Sequence, residues 1–182
     1  MPMFPLGSVL FPYASLPLHV FESRYRIMVR KVMRAHREFG VVLIERGQEV
    51  GGGDVRFDIG TVARIVQAQE FPDGRYALTT VGTRRIRVVR WLDDDPFPRA
   101  EIVDYDDETE PDDRGALDRV VEPPELASDP LRASYEAAAI APIGPLDAQR
   151  VLEAAGAVTR LRLLDALLGE RSVALRAHLG DE

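Results

Sequence analysis

Cysteine is missing from the 182-residue sequence, and lysine is nearly missing, since Lys31 is the one lysine among 23 basic residues. Without cysteine the chain forms no disulfide and offers no thiolate for catalysis or for zinc and iron–sulfur sites. Acidic residues number 30, which gives a net charge of −7. Generic binding to a phosphate backbone depends on a surplus of Lys and Arg, so this balance disfavours it.

Long apolar runs are also missing, although 46% of the residues are hydrophobic and 29% are charged, as in globular proteins. No stretch approaches the roughly 20 uncharged apolar residues that cross a bilayer. The apolar start is interrupted by Pro2, Pro5 and Pro12, and no basic residues precede it, unlike in a secretory signal peptide. We therefore expect a cytoplasmic protein with no membrane partner.

The first part of the chain carries a strand, then an amphipathic helix. Residues 3–11 alternate loosely between prolines, as a strand at a sheet edge does. From Phe21 to Met33 apolar residues recur at helical spacing with arginines between them. Gly40 is a natural C-terminal stop. The pattern predicts an amphipathic helix that ends near Gly40.

Further strands are predicted downstream of this helix. The β-like runs are 39–44, 59–70, 76–81, 85–89 and 97–103, with a turn at 72–74 and a break at 82–83. The Gly-rich stretch 47–54 favours a hairpin loop. Several short strands at this spacing predict a small barrel or sandwich with one helix packed against it.

The composition changes at Asp104. Residues 104–113 are mostly Asp and Glu and favour a solvated linker, because so charged a segment is too poor in apolar residues to pack. Helical patterns follow at 116–121, 130–140, 147–155, 158–168 and 173–179. We therefore predict a domain at 1–104, an acidic linker at 105–115 and a helical subdomain at 116–182.

Several of these segments resemble one protein family in residue type as well as in order. The opening has Phe4-Pro5-Leu6 and Phe11-Pro12, followed by Leu16-Pro17-Leu18. The most specific segment is Ile59-Gly60-Thr61-Val62-Ala63-Arg64-Ile65, and Gly82-Thr83-Arg84-Arg85-Ile86-Arg87-Val88 follows it in the same order. The chain resembles the N-terminal, substrate-binding domain of Lon proteases.

This resemblance implies an α+β fold, with a small PUA-like β-barrel, a packed helix and a C-terminal α-helical bundle. It implies a bacterial module that binds unfolded or partly folded proteins and peptides, as an adaptor in protein quality control, with a protease as a further partner. Lon proteins continue into ATPase and serine–lysine peptidase parts. This chain has no Gly-x-x-x-x-Gly-Lys-Ser/Thr loop, so we expect a freestanding relative that is not an enzyme.

Motifs for catalysis or metal binding are not found in the sequence. His19, His36 and His178 have no second histidine three or four positions away. No serine lies in a Gly-x-Ser-x-Gly elbow. Asp93-Asp94-Asp95 lacks the spacing of a calcium loop. We therefore expect no catalytic residue, no metal site and no cofactor.

Two alternative functions stay open. Arg84-Arg85-Ile86-Arg87-Val88-Val89-Arg90 is a basic strand, and PUA-like folds can bind RNA. The same alternation fits a sheet with one solvent face, and aromatic residues that would stack on bases are not interleaved with the arginines. Nucleic acid is therefore the less favoured partner. A small-molecule pocket between barrel and helices is the second alternative.

Protein binding requires an apolar patch with a polar rim. The candidate residues are Phe11, Tyr13 and Leu16 of the first loop with Arg24 and Tyr25 of the helix start. Tyr and Arg are residue types that dominate interface energetics. In the alternative interpretation Leu16, Phe21 and Tyr25 pack the helix against the barrel instead. Tyr13 follows Pro12 in a turn-like segment, and we expect it to be the most exposed candidate.

Overall fold

The computed structural model describes residues 1–47, 53–110 and 126–179, with side chains described as far as residue 170. The chain divides into two compact units, Met1–Asp106 and Asp107–Glu182. Three predicted features lie wholly or partly outside the described residues. They are the glycine loop at 48–52, the last part of the acidic linker at 111–115 and the helix at 116–121.

Six strands form one mixed sheet in the described part of the first unit. They are β1 (Met3–Leu6), β2 (Ser15–Val20), β3 (Glu38–Arg46), β4 (Val55–Glu70), β5 (Tyr76–Leu92) and β6 (Arg99–Asp104). Paired strands follow the order β1-β3-β4-β5-β2, and β6 pairs with the second half of β5. β1 runs parallel to β3, and the other pairs are antiparallel. The predicted α+β class is confirmed.

The predicted closed barrel is not confirmed, because the order of paired strands ends at β1 on one side and at β2 on the other. At its start β1 approaches β6, where Pro2 forms an isolated bridge with Arg99. There the Met3 N–H donates to the Pro98 carbonyl oxygen at 2.8 Å. Within the described ranges no ladder joins β1 to β2. The sheet therefore stays open between β1 and β2.

Helix α1 (Ser23–Met33) packs against this sheet through one face. The buried face has the predicted helical spacing and consists of Tyr25, Met28, Val29 and Val32. The helix ends at Met33, so the predicted end near Gly40 is wrong. Arg37 adopts a left-handed φ of 57°, and its N–H donates to the Val32 carbonyl oxygen at 2.9 Å. This closing bond satisfies a terminal carbonyl and lets β3 begin before Gly40.

Strand β5 is continuous where the sequence predicts a break at Gly82. A Cβ at this position would lie 2.1 Å from the Phe11 carbonyl oxygen. The Tyr13 N–H donates to the Gly82 carbonyl oxygen at 2.8 Å. Glycine is needed here for the close approach of two backbones and does not interrupt the strand. The predicted break is therefore a contact between β5 and the first loop.

Three described helices form the second unit. They are α2 (Pro130–Ile140), α3 (Pro145–Glu153) and α4 (Ala157–Leu179). α2 begins as predicted, with Pro130 in its first turn and the Asp129 carboxylate accepting the Arg132 N–H. α4 joins two predicted helices, because the single Gly169 between them costs only about 1 kcal/mol in a helix. α2 and α3 both contact α4; the predicted bundle is not confirmed beyond these contacts.

The start of the predicted linker is bonded to these helices. The buried Arg160 guanidinium donates to Asp107 Oδ1 at 2.6 Å, and the Tyr135 hydroxyl donates to Asp107 Oδ2 at 2.6 Å. The Arg160 guanidinium carbon lies 3.7 Å from the Tyr135 ring centroid. The Arg160 side chain has no exposed surface, and a buried guanidinium requires a charged partner. Asp107 supplies that partner, so this part of the segment is not solvated as predicted.

Glu110 caps the N-terminus of α4. Its carboxylate accepts the N–H groups of Val158 at 2.7 Å and Thr159 at 3.1 Å. A Cβ on Gly156 would lie 2.4 Å from Glu110 Oε2, so glycine leaves room for this cap. Burial opposes the charge, but the Thr159 hydroxyl, which also donates to this carboxylate, and the two N–H groups outweigh it and hold the pKa of Glu110 below its usual 4.5. The cap therefore stabilises the unit at neutral pH, and this contribution is lost as pH falls through the lowered pKa.

Replacing Asp107 tests the importance of this buried pair. We expect Asp107→Ala to lower the free energy of unfolding by about 3–5 kcal/mol, because it leaves the Arg160 charge buried and uncompensated. Urea unfolding followed by far-ultraviolet circular dichroism measures the change. Asp106→Ala is the matched control, since the Asp106 residue is exposed. Equal, small effects of the two substitutions would contradict the structural role of Asp107.

Candidate protein-binding groove

A groove of about 170 Å³ lies where the sheet stays open. Strands β1 and β2 and the start of α1 supply its lining, which consists of Phe4, Leu6, Pro17, Leu18, His19, Phe21, Glu22 and Tyr25. We call it the β1–β2 groove. Its two walls come from the end strands of the sheet order, so the groove depends directly on the missing ladder between them.

The floor of the groove is aromatic and uncharged. The rings of Phe4 and Tyr25 stack with centroids 4.1 Å apart and planes at 10°. Both residues are buried, and Phe39 lies 5.9 Å from Phe4 on the core side. Tyrosine is neutral at physiological pH, and burial raises the pKa of the Tyr25 hydroxyl further, to about 12. The floor therefore offers a ligand an apolar surface fixed by the core.

Phe21 forms an exposed rim beside this floor. The residue is 54% exposed, so the prediction that it fastens the helix is wrong. Glu22 is the N-cap of α1, which places Phe21 directly before the cap. An apolar residue at that position usually packs against the fourth helical residue, but this residue is Arg26. Phe21 thus lacks the apolar partner that would have drawn its ring inward.

The polar groups at the helix start are paired with one another. Arg24 Nε donates to Glu22 Oε2 at 3.1 Å, and both side chains are less than one-fifth exposed. The Arg24 guanidinium carbon also lies 4.5 Å from the Tyr25 ring centroid. On the β2 side the His19 and Phe71 rings stack at 5.9 Å. Because Glu22 and Arg24 are paired with each other, an apolar segment that enters the groove does not leave either charge buried without a partner.

The five residues predicted for the site do not all come together. Tyr25 lines the groove, and Arg24 lies against it. Phe11 is only 4% exposed and belongs to the core, while Leu16 is half-buried and packs against the core cluster. Tyr13 is 43% exposed, as expected, and has a φ of 66°, but it does not line the groove.

Sequence reasoning missed the residues that form the walls. One available signal was Pro17, because proline within a strand is typical of an edge strand. Another was Arg26, which removes the apolar partner of Phe21. No local sequence pattern indicates that Phe4 and Leu6 line the groove, because their position depends on the parallel pairing of β1 with β3.

The basic strand that suggested RNA binding has its charges engaged within the protein. Arg85 is 3% exposed, and its guanidinium carbon lies 4.4 Å from the Tyr105 ring. Arg87 lies 4.4 Å from the same ring. The outer arginines are ion-paired: Arg84 with Asp104 at 2.8 Å and Arg90 with Glu101 at 2.6 Å. This pairing disfavours the phosphate contacts that RNA binding requires.

Other kinds of site were not found in the part of the chain that the structure describes. It contains no group of three His, Asp or Glu side chains placed to hold a metal ion. None of its helices has the length and apolar character required to cross a membrane.

The ATP-dependent protease La (LON) substrate-binding domain is the family whose model matches residues 1–123. The chain belongs to this family. The crystal structure of a Lon N-terminal domain protein from Xanthomonas campestris matches with a TM-score of 0.75 and 32% identity. That match covers 91% of this chain and 96% of the other. The predicted resemblance is confirmed, and the fold is that of a Lon N-terminal domain.

The curated relatives of this Lon substrate-binding domain are matched over part of their length. Lon protease 2 of Myxococcus xanthus is 33% identical over 112 residues, which are 60% of this chain and 13% of the relative. Lon protease 2 of Sorangium cellulosum is 30% identical over 205 residues, which are 96% of this chain and 25% of the relative. The chain therefore spans at most a quarter of these two relatives.

The exposure of Phe21 predicts that its ring contributes little to folding of this Lon domain. We expect Phe21→Ala to change the free energy of unfolding by less than about 0.5 kcal/mol, as surface substitutions usually do. Tyr25→Ala removes a buried aromatic ring and should cost about 3–5 kcal/mol. Urea unfolding followed through Trp91 fluorescence compares the two. A loss for Phe21→Ala as large as that for Tyr25→Ala would show that Phe21 is a core residue.

Proposed function

We propose that this Lon substrate-binding domain binds apolar segments of unfolded or partly folded proteins in the β1–β2 groove. The observation that supports this most directly is Phe21, an aromatic ring more than half exposed beside an apolar floor. Full burial of a fully exposed ring of this kind contributes about 1.5–3 kcal/mol, and a ring that is 54% exposed has about 0.8–1.6 kcal/mol of this left to gain. By the usual conversion this is about 4- to 15-fold in affinity, which makes Phe21 the main anchor.

The size of the groove favours a polypeptide segment over a small molecule. Its volume is about 170 Å³. Pockets for drug-sized ligands run from about 300 to 1,000 Å³, so the groove suits one or two side chains of a longer partner. The rest of such a partner would extend over the neighbouring surface. The alternative of a small-molecule site between the sheet unit and the helices stays a prediction.

Pro17 limits the ways in which the β1–β2 groove can hold a polypeptide segment. Proline has no N–H, so β2 cannot offer a continuous ladder to an added strand. The same feature protects the open edge against pairing with other chains. Side-chain burial against Phe21, Phe4 and Tyr25 therefore supplies the affinity, and the hydrogen-bonding edge adds little. Such binding tolerates many sequences, as a substrate-binding module requires.

The same proposal assigns the domain a non-catalytic, cytoplasmic role. Its partners would be unfolded or partly folded proteins, and it would act as an adaptor that presents them to a protease in bacterial quality control. The family match supports this, because it concerns the substrate-binding domain and residues 1–123. Nucleic acid is the less favoured partner because Arg85 is buried and Arg90 is ion-paired.

A permanently unfolded, carboxymethylated protein with a fluorescent label tests groove binding directly. We expect fluorescence anisotropy to show a complex at micromolar concentration, and Phe21→Ser to weaken it about 4- to 15-fold because the anchoring ring is lost. Val89→Ser is the matched control, since Val89 on β5 is 62% exposed and lies outside the groove.

Three results would count against the groove. No complex at micromolar concentration removes the basis of the proposal. Equal losses for Phe21→Ser and Val89→Ser indicate nonspecific contact with apolar surface. A loss with Tyr13→Ala but none with Phe21→Ser places the binding surface on the first loop instead.

The adaptor role has its own test. Added wild-type domain should change the rate at which a purified Lon protease degrades the same unfolded protein, and Phe21→Ser should reduce this change because the substrate is held more weakly. Gel densitometry over time measures the rate. An unchanged rate with the wild-type domain, under conditions where the complex forms, would contradict the adaptor role and leave substrate binding intact.

A further inference from the structure

A second groove, of about 460 Å³, lies along the C-terminal half of α1. Its lining consists of Arg30 and Met33 from α1, the C-cap residue Arg34, Ala68 and Glu70 from β4, and Tyr76 from β5. We call it the α1 groove. It shares no lining residue with the β1–β2 groove, so an inference about it does not rest on the function proposed above.

The α1 groove has a surplus of positive charge in a protein of net charge −7. Arg30 is exposed and reaches Glu70 only at 4.0 Å. Among the described residues, no ion pair joins Arg34 or Arg37 to a carboxylate. Arginines on the sheet differ, since Arg64 lies 2.8 Å from Glu38 and Arg90 lies 2.6 Å from Glu101. Positive charge is therefore left uncompensated at this end of α1.

The floor of the α1 groove is apolar. Met33 and Ala68 are half-buried, and Tyr76 is 5% exposed. Arg30 Nε donates to the Tyr76 hydroxyl at 3.4 Å, which holds the arginine stem along the groove. Because Tyr76 is buried, its ring cannot stack on a nucleobase. The arrangement of an apolar floor with basic residues at its edge favours an acidic polypeptide over a nucleic acid.

We propose that the α1 groove binds an acidic segment of a protein partner in an extended conformation. Arg30 and the C-cap residue Arg34, whose backbone is still in the right-handed helical region, are four positions apart, which places their Cβ atoms about 5–6 Å apart. Alternate residues of an extended chain lie on one side at about 7 Å. Two carboxylates at alternate positions therefore match the two guanidinium groups, each through a charge-assisted hydrogen bond. An apolar side chain of the same segment packs on Met33 and Ala68.

The stability of α1 accounts for only part of the positive charge at its C-terminal end. Cations in the last turn of a helix interact favourably with its dipole, and Arg30 and Lys31 lie there. Like charges four positions apart nevertheless destabilise a helix, and Arg26, Arg30 and Arg34 form such a series. Carboxylates of a partner relieve this repulsion, and they increase the rate of encounter with a basic surface.

A labelled 12-residue peptide with Glu at three alternate positions and one Leu is the probe. We expect anisotropy to show binding that weakens with salt, and a peptide with Gln in place of Glu to bind about tenfold or more weakly. The double substitution of Arg30→Gln and Arg34→Gln should weaken binding by a similar factor. Arg64→Gln with Arg90→Gln is the matched control, because it changes the net charge equally, and it should leave the affinity within about twofold.

Four outcomes would overturn the proposal. The first two are no binding of the Glu peptide at low salt and equal losses in the two double variants. The third is tighter binding of a single-stranded oligonucleotide that is lost with Arg30 and Arg34. The fourth is self-association of the protein, measured by sedimentation, that disappears in the same variant and identifies a second copy as the occupant. The Phe21→Ser variant should bind the Glu peptide with the affinity of the wild-type protein, which separates this test from that of the β1–β2 groove.

Discussion

The stack of Phe4 on Tyr25 joins strand β1 to helix α1, and the candidate site depends on it. With Tyr25 turned into the core, the start of α1 is fixed over the open side of the sheet. The Arg26 side chain extends toward Gly74, and a Cβ on Gly74 would lie 2.1 Å from Arg26 Nη2. Phe21, immediately before the N-cap, is left without an apolar helical partner. One buried contact thus positions both the floor of the groove and its exposed aromatic rim.

The open sheet connects this local geometry to function. β1 and β2 are the ends of the strand order, and open edges normally invite pairing with other chains. Here Pro17 interrupts the donor row of β2, and side chains of β1, β2 and α1 line the space between the strands. The result is a short apolar groove that favours side-chain contacts over strand addition. This property suits the proposed binding of apolar segments from unfolded or partly folded proteins.

Local patterns predicted the elements whose determinants are local. The buried face of α1 follows helical spacing, and α2 (Pro130–Ile140) has the predicted bounds with its Asp129 cap. Features set by distant residues were missed. Arg160 is paired with Asp107, 53 positions away, so an acidic segment that composition assigns to a linker is partly bonded to helices. Gly82 was interpreted as a break because the Phe11 carbonyl that approaches it lies on another element.

Hydrogen–deuterium exchange with and without an unfolded protein bound is the most direct measurement of where substrates bind. It needs no substitution, so it does not depend on how any variant folds. Binding in the β1–β2 groove predicts slower exchange in peptides that cover residues 15–28, with no change in residues 84–92 of β5. Protection confined to residues 84–92 or to the helices of the second unit, with residues 15–28 unchanged, would contradict binding at the groove.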